Sequence, residues 1–355
     1  MEEQELLMSA GEFLKMELSC RKIKQIDFAN AIGMSKSHFS ELINGKISFT
    51  KSIAEKISKE LGIPSVEFLQ IQSNYKLAKY ATESAEQEAQ EMLKDIDKKV
   101  DLRTLCKRLT IDFKKPFSNI IDSFNNILGA SPLDLTTQYA GMFKKSEKTG
   151  LDERMILTWV ILAKHFSKNL EVQGIYDRNK ILELVLSLRD VFHKNQEVIS
   201  KTTKILSAYG IRFCVVNKVD RASIDGFSYI EDGIPTIVVT QRYDRIDNFA
   251  FSVMHELGHI YLNHCDNSMS RISIDLYEEE LSKEEEKANE FALYALIDRS
   301  LWSKKPSSEI NPFAIQTVFT KWANRNQLNP WIVLGCISKE TGMYRFKGND
   351  ERHIN

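Results

Sequence analysis

Two histidines that stand four residues apart, His255 and His259, constrain this chain more than any other pattern in its sequence. Residues at this spacing project from the same side of an α-helix, one turn apart. Two neutral imidazoles in that arrangement can bind one tetrahedral Zn²⁺ without distorting the helix. Glu256 follows the first histidine, so its carboxylate lies beside the metal and can accept a proton from a zinc-bound water. The pattern therefore predicts a helical zinc site with Glu256 as general base.

The residues around the two histidines have the pattern of a half-buried helix. An apolar stripe recurs at helical spacing and consists of Phe249, Val253, Leu257 and Ile260. We expect the helix to run from about Asp247 to Asn263, with Asp247 or Asn248 as its cap. Gly258 lies in the helix interior, where glycine costs roughly 1 kcal/mol relative to alanine. This cost indicates that a backbone or a ligand approaches closely at Gly258.

A catalytic zinc requires a third protein ligand and one open coordination position. A longer form of the motif would place glycine at position 262 and histidine at position 265, but the chain has Leu262 and Cys265 there. His264 lies five residues after His259 and is rotated away from the metal-facing side, so we expect it at the surface or in the outer shell. The third ligand is therefore expected to be a carboxylate from a later helix.

Residues 282–292 supply such a carboxylate. Ser282 and Glu285 form a capping-box pattern, so a helix is expected to begin there. The helix face of Glu285 also carries two small residues that allow close packing and one amide: Ala288, Ala292 and Asn289. We assign Glu285 as the third ligand and keep the adjacent Glu286 as the alternative. Asn289 is expected to hydrogen-bond the outer nitrogen of a zinc histidine.

The two segments together resemble the ImmA/IrrE family of bacterial zinc metallopeptidases, through residues 249–259 and 285–292. Residues 322–335 are similar to the closing helices of that family. The resemblance implies a zinc endopeptidase that cuts a transcriptional repressor at a specific site. It also implies that strand 235–240 precedes the motif helix and forms an edge that can pair with an extended substrate. Candidates for the oxyanion stabiliser, by proximity in sequence, are Tyr243, Tyr261 and His264.

The N-terminal part of the chain carries a second pattern. Residues 25–35 have the layout of a helix, a turn at Gly33 and a cap at Ser35, and a second helix follows and ends at Asn44-Gly45. The predicted core of this module is formed by Phe28, Ala29, Ile32, Phe39, Leu42 and Ile43. A helix pair joined by a short glycine turn is the arrangement that places the second helix in the DNA major groove.

The exposed start of the second helix is expected to contact DNA. Lys36 and Ser37, with Glu41 one turn later, face base edges, whereas Gln25, Asn44 and Lys46 face phosphates. The predicted DNA-binding residues are Gln25, Ser35, Lys36, Ser37, Glu41 and Asn44. The module resembles the Xre/Cro-type helix-turn-helix, most closely that of HigA-type antitoxins. Acidic residues offset its basic ones, so a helical bundle used for protein contact is the alternative interpretation.

The remaining segments indicate the fold class. Short β-branched runs at 211–216 and 235–240, with a turn signal at Asp232-Gly233, predict strands. Helical periodicity returns after Thr240, so this part is α+β. We expect an all-α helix-turn-helix domain at 1–75, a helical linker or scaffold at 76–200, and a mainly α domain with a small β-sheet (α+β), the metallopeptidase, at 201–355.

Composition limits the location and the partners. The formal net charge is −1, so any DNA contact must come from a local patch. No apolar run approaches the ~20 residues that span a bilayer. The N-terminus is acidic, and the five cysteines form no CxxC pair. We therefore expect reduced thiols in a cytoplasmic protein without a membrane segment.

These observations lead to two hypotheses about function. The first is a DNA-binding transcriptional regulator with zinc-dependent endopeptidase activity against a repressor or antitoxin-like protein. The second is a HigA-like antitoxin and autorepressor whose metallopeptidase-like domain serves as a binding or sensing platform. A homodimer is expected in both, because two DNA half-sites require two recognition helices.

Overall fold

The computed structural model describes residues 8–114, 116–140, 152–241, 243–265, 271–274, 283–308, 311–343, 346–348 and 350–355. The chain divides into two compact units, one of residues 1–92 and 116–118, the other of residues 93–115 and 119–355. The predicted boundary at residue 75 lies inside a helix that runs from Ser65 to Lys99. The predicted boundary at residue 200 lies inside the helix Val198–Ala208.

The first unit is helical. Its helices are α1 (Ala10–Cys20), α2 (Gln25–Ala31), α3 (Lys36–Ile43), α4 (Lys51–Leu61) and the start of α5 (Ser65–Lys99). All six residues that were predicted as its core are buried. Gly33 joins α2 to α3 with a φ of 67°, a left-handed conformation that favours glycine. The Ser35 side chain then accepts a hydrogen bond from the His38 backbone N–H at 3.3 Å and caps α3. The predicted helix, turn and cap are confirmed.

The rest of the chain combines eleven further described helices with four strands. The helices are α6 (Leu102–Arg108), α7 (Phe117–Leu128), α8 (Pro132–Ala140), α9 (Glu153–Lys168), α10 (Ile181–Lys194), α11 (Val198–Ala208), α12 (Ile246–Tyr261), α13 (Lys283–Leu296), α14 (Arg299–Trp302), α15 (Pro312–Arg325) and α16 (Pro330–Thr341). The strands are β1 (Arg212–Val216), β2 (Ile224–Glu231), β3 (Ile234–Thr240) and β4 (Arg271–Ile274). The predicted α+β class is confirmed. Of the helices described, none is both long enough and apolar enough to cross a membrane.

The four strands form one sheet in the order β1-β3-β2-β4. β3 pairs with β1 in parallel and with β2 in antiparallel orientation. The expectation that residues 235–240 form an edge strand is therefore wrong, because β3 uses both of its backbone edges within the sheet. The predicted turn at Asp232-Gly233 is confirmed and joins β2 to β3, with φ values of 54° and 73°.

Both faces of this sheet are covered by helices. Ile237 and Val239 of β3 belong to the core that contains α10, α12 and α16. Val238 points to the opposite face, into the core that contains α6 and α9. Side chains alternate between the two faces of a strand, so a strand that is buried on both faces is apolar throughout. This burial explains the continuous β-branched run at 236–240 and positions α12 directly on the sheet.

Candidate metal centre

Helix α12 carries the two histidines and is buried around nearly its whole circumference. The predicted apolar stripe is confirmed, since its four residues are at most 3% exposed. The predicted cap is wrong: Arg245 occupies the N-cap position without a side-chain cap hydrogen bond. Asp247 lies in the first turn, where its carboxylate accepts a 3.0 Å hydrogen bond from Arg245 Nε and lies 3.7 Å from Arg352.

Helix α13 packs closely against α12 at Gly258. A Cβ atom at this position would stand 3.0 Å from a ring carbon of Phe291, tighter than ordinary contact. Ala288 and Ala292 of α13 are fully buried in the same helix pair. The expected close approach at Gly258 is thus formed by α13 itself, which explains a glycine in a helix interior. Ser282, the predicted cap of α13, lies outside the described residues.

This packing brings three potential ligands together. His255 Nε2 lies 3.0 Å from His259 Nε2 and 3.1 Å from Glu285 Oε2, and His259 Nε2 lies 3.4 Å from Glu285 Oε1. Both histidines are buried, and the Glu285 side chain is 28% exposed. The neighbouring Glu286 is exposed and does not join the cluster.

The donor set fits a zinc ion. Tetrahedral zinc with bonds of about 2.0–2.2 Å holds its ligand atoms about 3.3 Å apart. The three distances between His255, His259 and Glu285 range from 3.0 to 3.4 Å. Two imidazole nitrogens and the two carboxylate oxygens of Glu285 lie close together, and a divalent cation stabilises such a group. His–His–Glu leaves one tetrahedral position open, as hydrolytic zinc sites require.

The charge of Glu285 is favoured by its surroundings. Burial raises the pKa of its carboxyl group, but hydrogen bonds and charge from His255 and His259 outweigh burial and hold the pKa well below its usual range. The residue also lies in the first turn of α13, where the helix dipole stabilises a negative charge. Glu285 is therefore held as the carboxylate, the form that binds a metal.

Glu256 is fully buried between α12 and strand β2. Gly226 of β2 covers its side chain, and a Cβ atom at position 226 would stand 2.7 Å from Glu256 Cγ. Strand pairing between β2 and β4 shifts register next to Gly226. The sequence interpretation missed Gly226, although an isolated glycine in a strand is a signal of a bulge or a close approach.

The residues around the ligands agree with the prediction for His264 and differ from it for Asn289. Within the described residues, half-buried Asn289 forms no hydrogen bond to either histidine. His264 Nδ1 instead lies 3.0 Å from His259 Nδ1. This contact is made by the ring nitrogen of His259 that does not face Glu285. Tyr261 packs its ring against Phe291 at 5.4 Å, and Tyr243 is 42% exposed.

In the first unit, all six residues that were predicted to bind DNA are exposed. Lys36 and Ser37 occupy the first turn of α3. Asn44 is the C-cap of α3, and its amide donates hydrogen bonds to the Ser40 carbonyl at 2.8 Å and hydroxyl at 3.3 Å. His38, which the sequence interpretation left out, is also exposed and lies 3.8 Å from Glu41. The start of α3 is thus available for contact with DNA.

Comparisons with known protein families agree with both resemblances. The helix-turn-helix family model matches residues 21–68. The model of the IrrE N-terminal-like domain, Peptidase_M78, matches residues 208–311, which include the sheet, α12 and α13. No curated protein matches the chain. The first match supports DNA-binding regulation, and the second supports a metallopeptidase-like domain. The chain therefore contains an IrrE N-terminal-like domain of the Peptidase_M78 family, preceded by a helix-turn-helix domain, and both predicted resemblances are confirmed.

Proposed function

We propose that this protein is a DNA-binding transcriptional regulator and a zinc endopeptidase that cuts a repressor or antitoxin-like partner at a specific site. The observation that carries the proposal is the convergence of His255, His259 and Glu285, with Glu256 next to His255 in sequence, in a domain that matches the Peptidase_M78 model. The helix-turn-helix domain supports action at a promoter. In bacteria, where the family that it resembles occurs, DNA and repressors lie in the cytoplasm, and we propose that the protein acts there.

The proposed reaction assigns a role to each residue. His255, His259 and Glu285 would hold zinc, which supplies Lewis-acid activation of water and of the scissile carbonyl. Glu256 would accept the proton of the attacking water on a carboxylate oxygen and deliver it to the leaving amide nitrogen as the C–N bond breaks. Because β2 covers Glu256, the carboxylate is held in place and shielded from bulk solvent.

Chelation tests the proposed metal dependence. Purified full-length protein is mixed with a candidate repressor of the promoter that it binds, and fragments are followed by mass spectrometry. We expect 1,10-phenanthroline to stop cleavage and one equivalent of zinc per chain to restore it, because three protein ligands with an open position form a removable catalytic site. Cleavage that survives complete removal of zinc would contradict the proposal.

The DNA-binding half is tested by footprinting at the protein's own promoter. We expect Lys36→Ala/Ser37→Ala to weaken binding by roughly 5- to 160-fold, because one good base contact is worth about 1–3 kcal/mol. Lys59→Ala is the matched control, since Lys59 is an exposed lysine on α4 rather than α3. No footprint with the wild type would identify the module as a protein-contact domain, and equal footprints for all three proteins would exclude Lys36 and Ser37 as DNA contacts. A homodimer is proposed with this function, because paired half-sites require two recognition helices.

The second candidate function is an antitoxin-like autorepressor whose metallopeptidase-like domain binds or senses. The observation that favours it is the burial of Glu256, whose two carboxylate oxygens are both inaccessible to solvent. A general base must reach the attacking water, whereas a sensing platform has no such requirement. Wild-type protein that binds zinc and DNA but leaves every candidate repressor intact would support this second function.

A further inference from the structure

Helix α12 ends in a turn that directs the following residues back toward the metal centre. Asn263 adopts a left-handed conformation with a φ of 57°. The Leu262 N–H donates to the Gly258 carbonyl, and the His264 N–H donates to the His259 carbonyl, both at 2.9 Å. Such a left-handed C-terminal turn reverses the chain direction. The position of His264 therefore cannot be extrapolated from the period of α12. The turn brings this residue back beside His259.

The side chain of His264 contacts the zinc ligand itself. Its Nδ1 atom lies 3.0 Å from His259 Nδ1, and the two ring centroids are 5.1 Å apart. The next residue, Cys265, is buried with its sulfur 3.6 Å from both the carbonyl and the hydroxyl oxygen of Ser228 on β2. The backbone turn fixes the position of His264, and the contacts with β2 fix that of Cys265. The imidazole of His264 therefore has a defined position.

Metal binding at Nε2 would fix which nitrogen of His259 carries the proton. His259 Nε2 faces Glu285 and His255, so a metal there requires the lone pair of Nε2 and leaves the proton on Nδ1. His264 Nδ1 must then be the acceptor, and His264 carries its own proton on Nε2. We propose that His264 is a positioning residue that orients the His259 ring and selects its metal-binding tautomer. This inference rests on the proposed zinc centre.

The two histidine ligands are supported in different ways. His255 Nδ1 is buried and has no hydrogen-bond partner among the described residues. Its ring instead stacks on Phe251, with centroids 6.1 Å apart and planes inclined by 27°. The outer-shell hydrogen bond is thus made by His259, whose Nδ1–H donates to His264 Nδ1. Zinc affinity is therefore expected to respond to the acceptor at position 264.

Zinc affinity of the full-length protein tests this proposal without any substrate. The protein is stripped of metal, and its zinc dissociation constant is measured by competition with a chromogenic chelator. We expect His264→Phe to weaken zinc binding about 10- to 100-fold, the usual effect of losing an outer-shell partner. His264→Asn keeps an acceptor oxygen near the place of Nδ1 and is expected to remain within about threefold of wild type. Asn263→Gly, which tolerates the same left-handed backbone, is the control and is expected to leave affinity unchanged.

Several results would overturn the proposal. One is a folded His264→Phe variant that binds zinc as tightly as the wild type. Another is a His264→Asn variant that loses as much zinc affinity as His264→Phe, which would show that the acceptor atom is irrelevant. If His264→Phe does not fold, ¹⁵N-histidine spectra of the zinc-loaded wild type test the proposal instead. We expect the His259 Nδ1 proton to be protected from exchange with solvent, and rapid exchange of this proton would contradict the proposal. Wild type that binds zinc but cleaves nothing contradicts only the peptidase function, whereas wild type that binds no zinc overturns both.

Discussion

Glu285→Ala is expected to lower the zinc affinity of the protein by more than about 100-fold, since loss of an outer-shell partner alone costs about 10- to 100-fold. Glu285 is the only carboxylate within the described residues that joins His255 and His259 in a group able to hold a metal. Its removal leaves two neutral imidazoles, too few ligands for a stable structural or catalytic zinc site. Competition with a chromogenic chelator measures the change directly.

The neighbouring Glu286→Ala is the matched control for this prediction. Both variants remove one carboxylate from the first turn of α13, so they change the net charge and the helix dipole interaction in the same way. Glu286 is exposed and lies outside the histidine cluster, so its variant is expected to bind zinc like the wild type. Equal affinities of both variants would contradict the assigned ligand, and a loss confined to Glu286→Ala would reverse the assignment.

Glu256→Gln is expected to keep zinc bound and to lower the rate of peptide cleavage by about 10²- to 10⁴-fold, the typical contribution of a positioned general base. Glutamine has nearly the same size as glutamate, so it fits the space beneath Gly226. Gly226 itself leaves no room for a larger residue at its own position. The variant therefore removes proton transfer without disturbing the packing. Single-turnover cleavage of the identified partner, together with zinc analysis of the same sample, separates the two effects.

The matched control for the loss of activity is Glu286→Gln, the same chemical change at an exposed position on α13. It is expected to cleave at the wild-type rate. If Glu256→Gln loses its zinc, Glu256 contributes to metal binding and the assigned role is wrong. If Glu256→Gln cleaves as fast as the wild type with zinc bound, another group is the general base.

The parts of the centre that lie on helices could be predicted from the sequence. The spacing of His255 and His259 fixes their common side on α12, and both are found at one centre. The choice of Glu285 over Glu286 followed from the face it shares with Ala288, which is fully buried. Each of these inferences uses only the period of a single helix.

Strand β2 could not be predicted from strand propensity, because the contacts at the metal centre require small residues on one of its faces. Gly226 lies against Glu256, which leaves no room for a side chain there, and Ser228 on the same face contacts Cys265. Small residues at these positions remove the β-branched pattern that identifies a strand. Strand order is likewise non-local, so nothing within residues 235–240 indicates that β3 has partners on both edges.

His264 was expected at the surface or in the outer shell, and its contact with His259 confirms the outer shell, but the turn that produces this contact was not predicted. Extrapolation of the helical period beyond Tyr261 rotates residue 264 away from His259. The structure ends the helix there, and the left-handed backbone at Asn263 returns the chain. Asparagine tolerates this conformation better than most residues, which is the one local signal for such a turn.

Labelling of new protein N-termini in cells tests the central claim most directly, because the substrate does not have to be identified beforehand. Cells that express wild-type protein are compared with cells that express Glu256→Gln at equal levels, with zinc content verified for both proteins. We predict at least one new N-terminus, within a transcriptional repressor or antitoxin-like protein, that forms only with the wild type. Identical sets of N-termini, with zinc bound in both proteins, would contradict the claim that this chain is a peptidase.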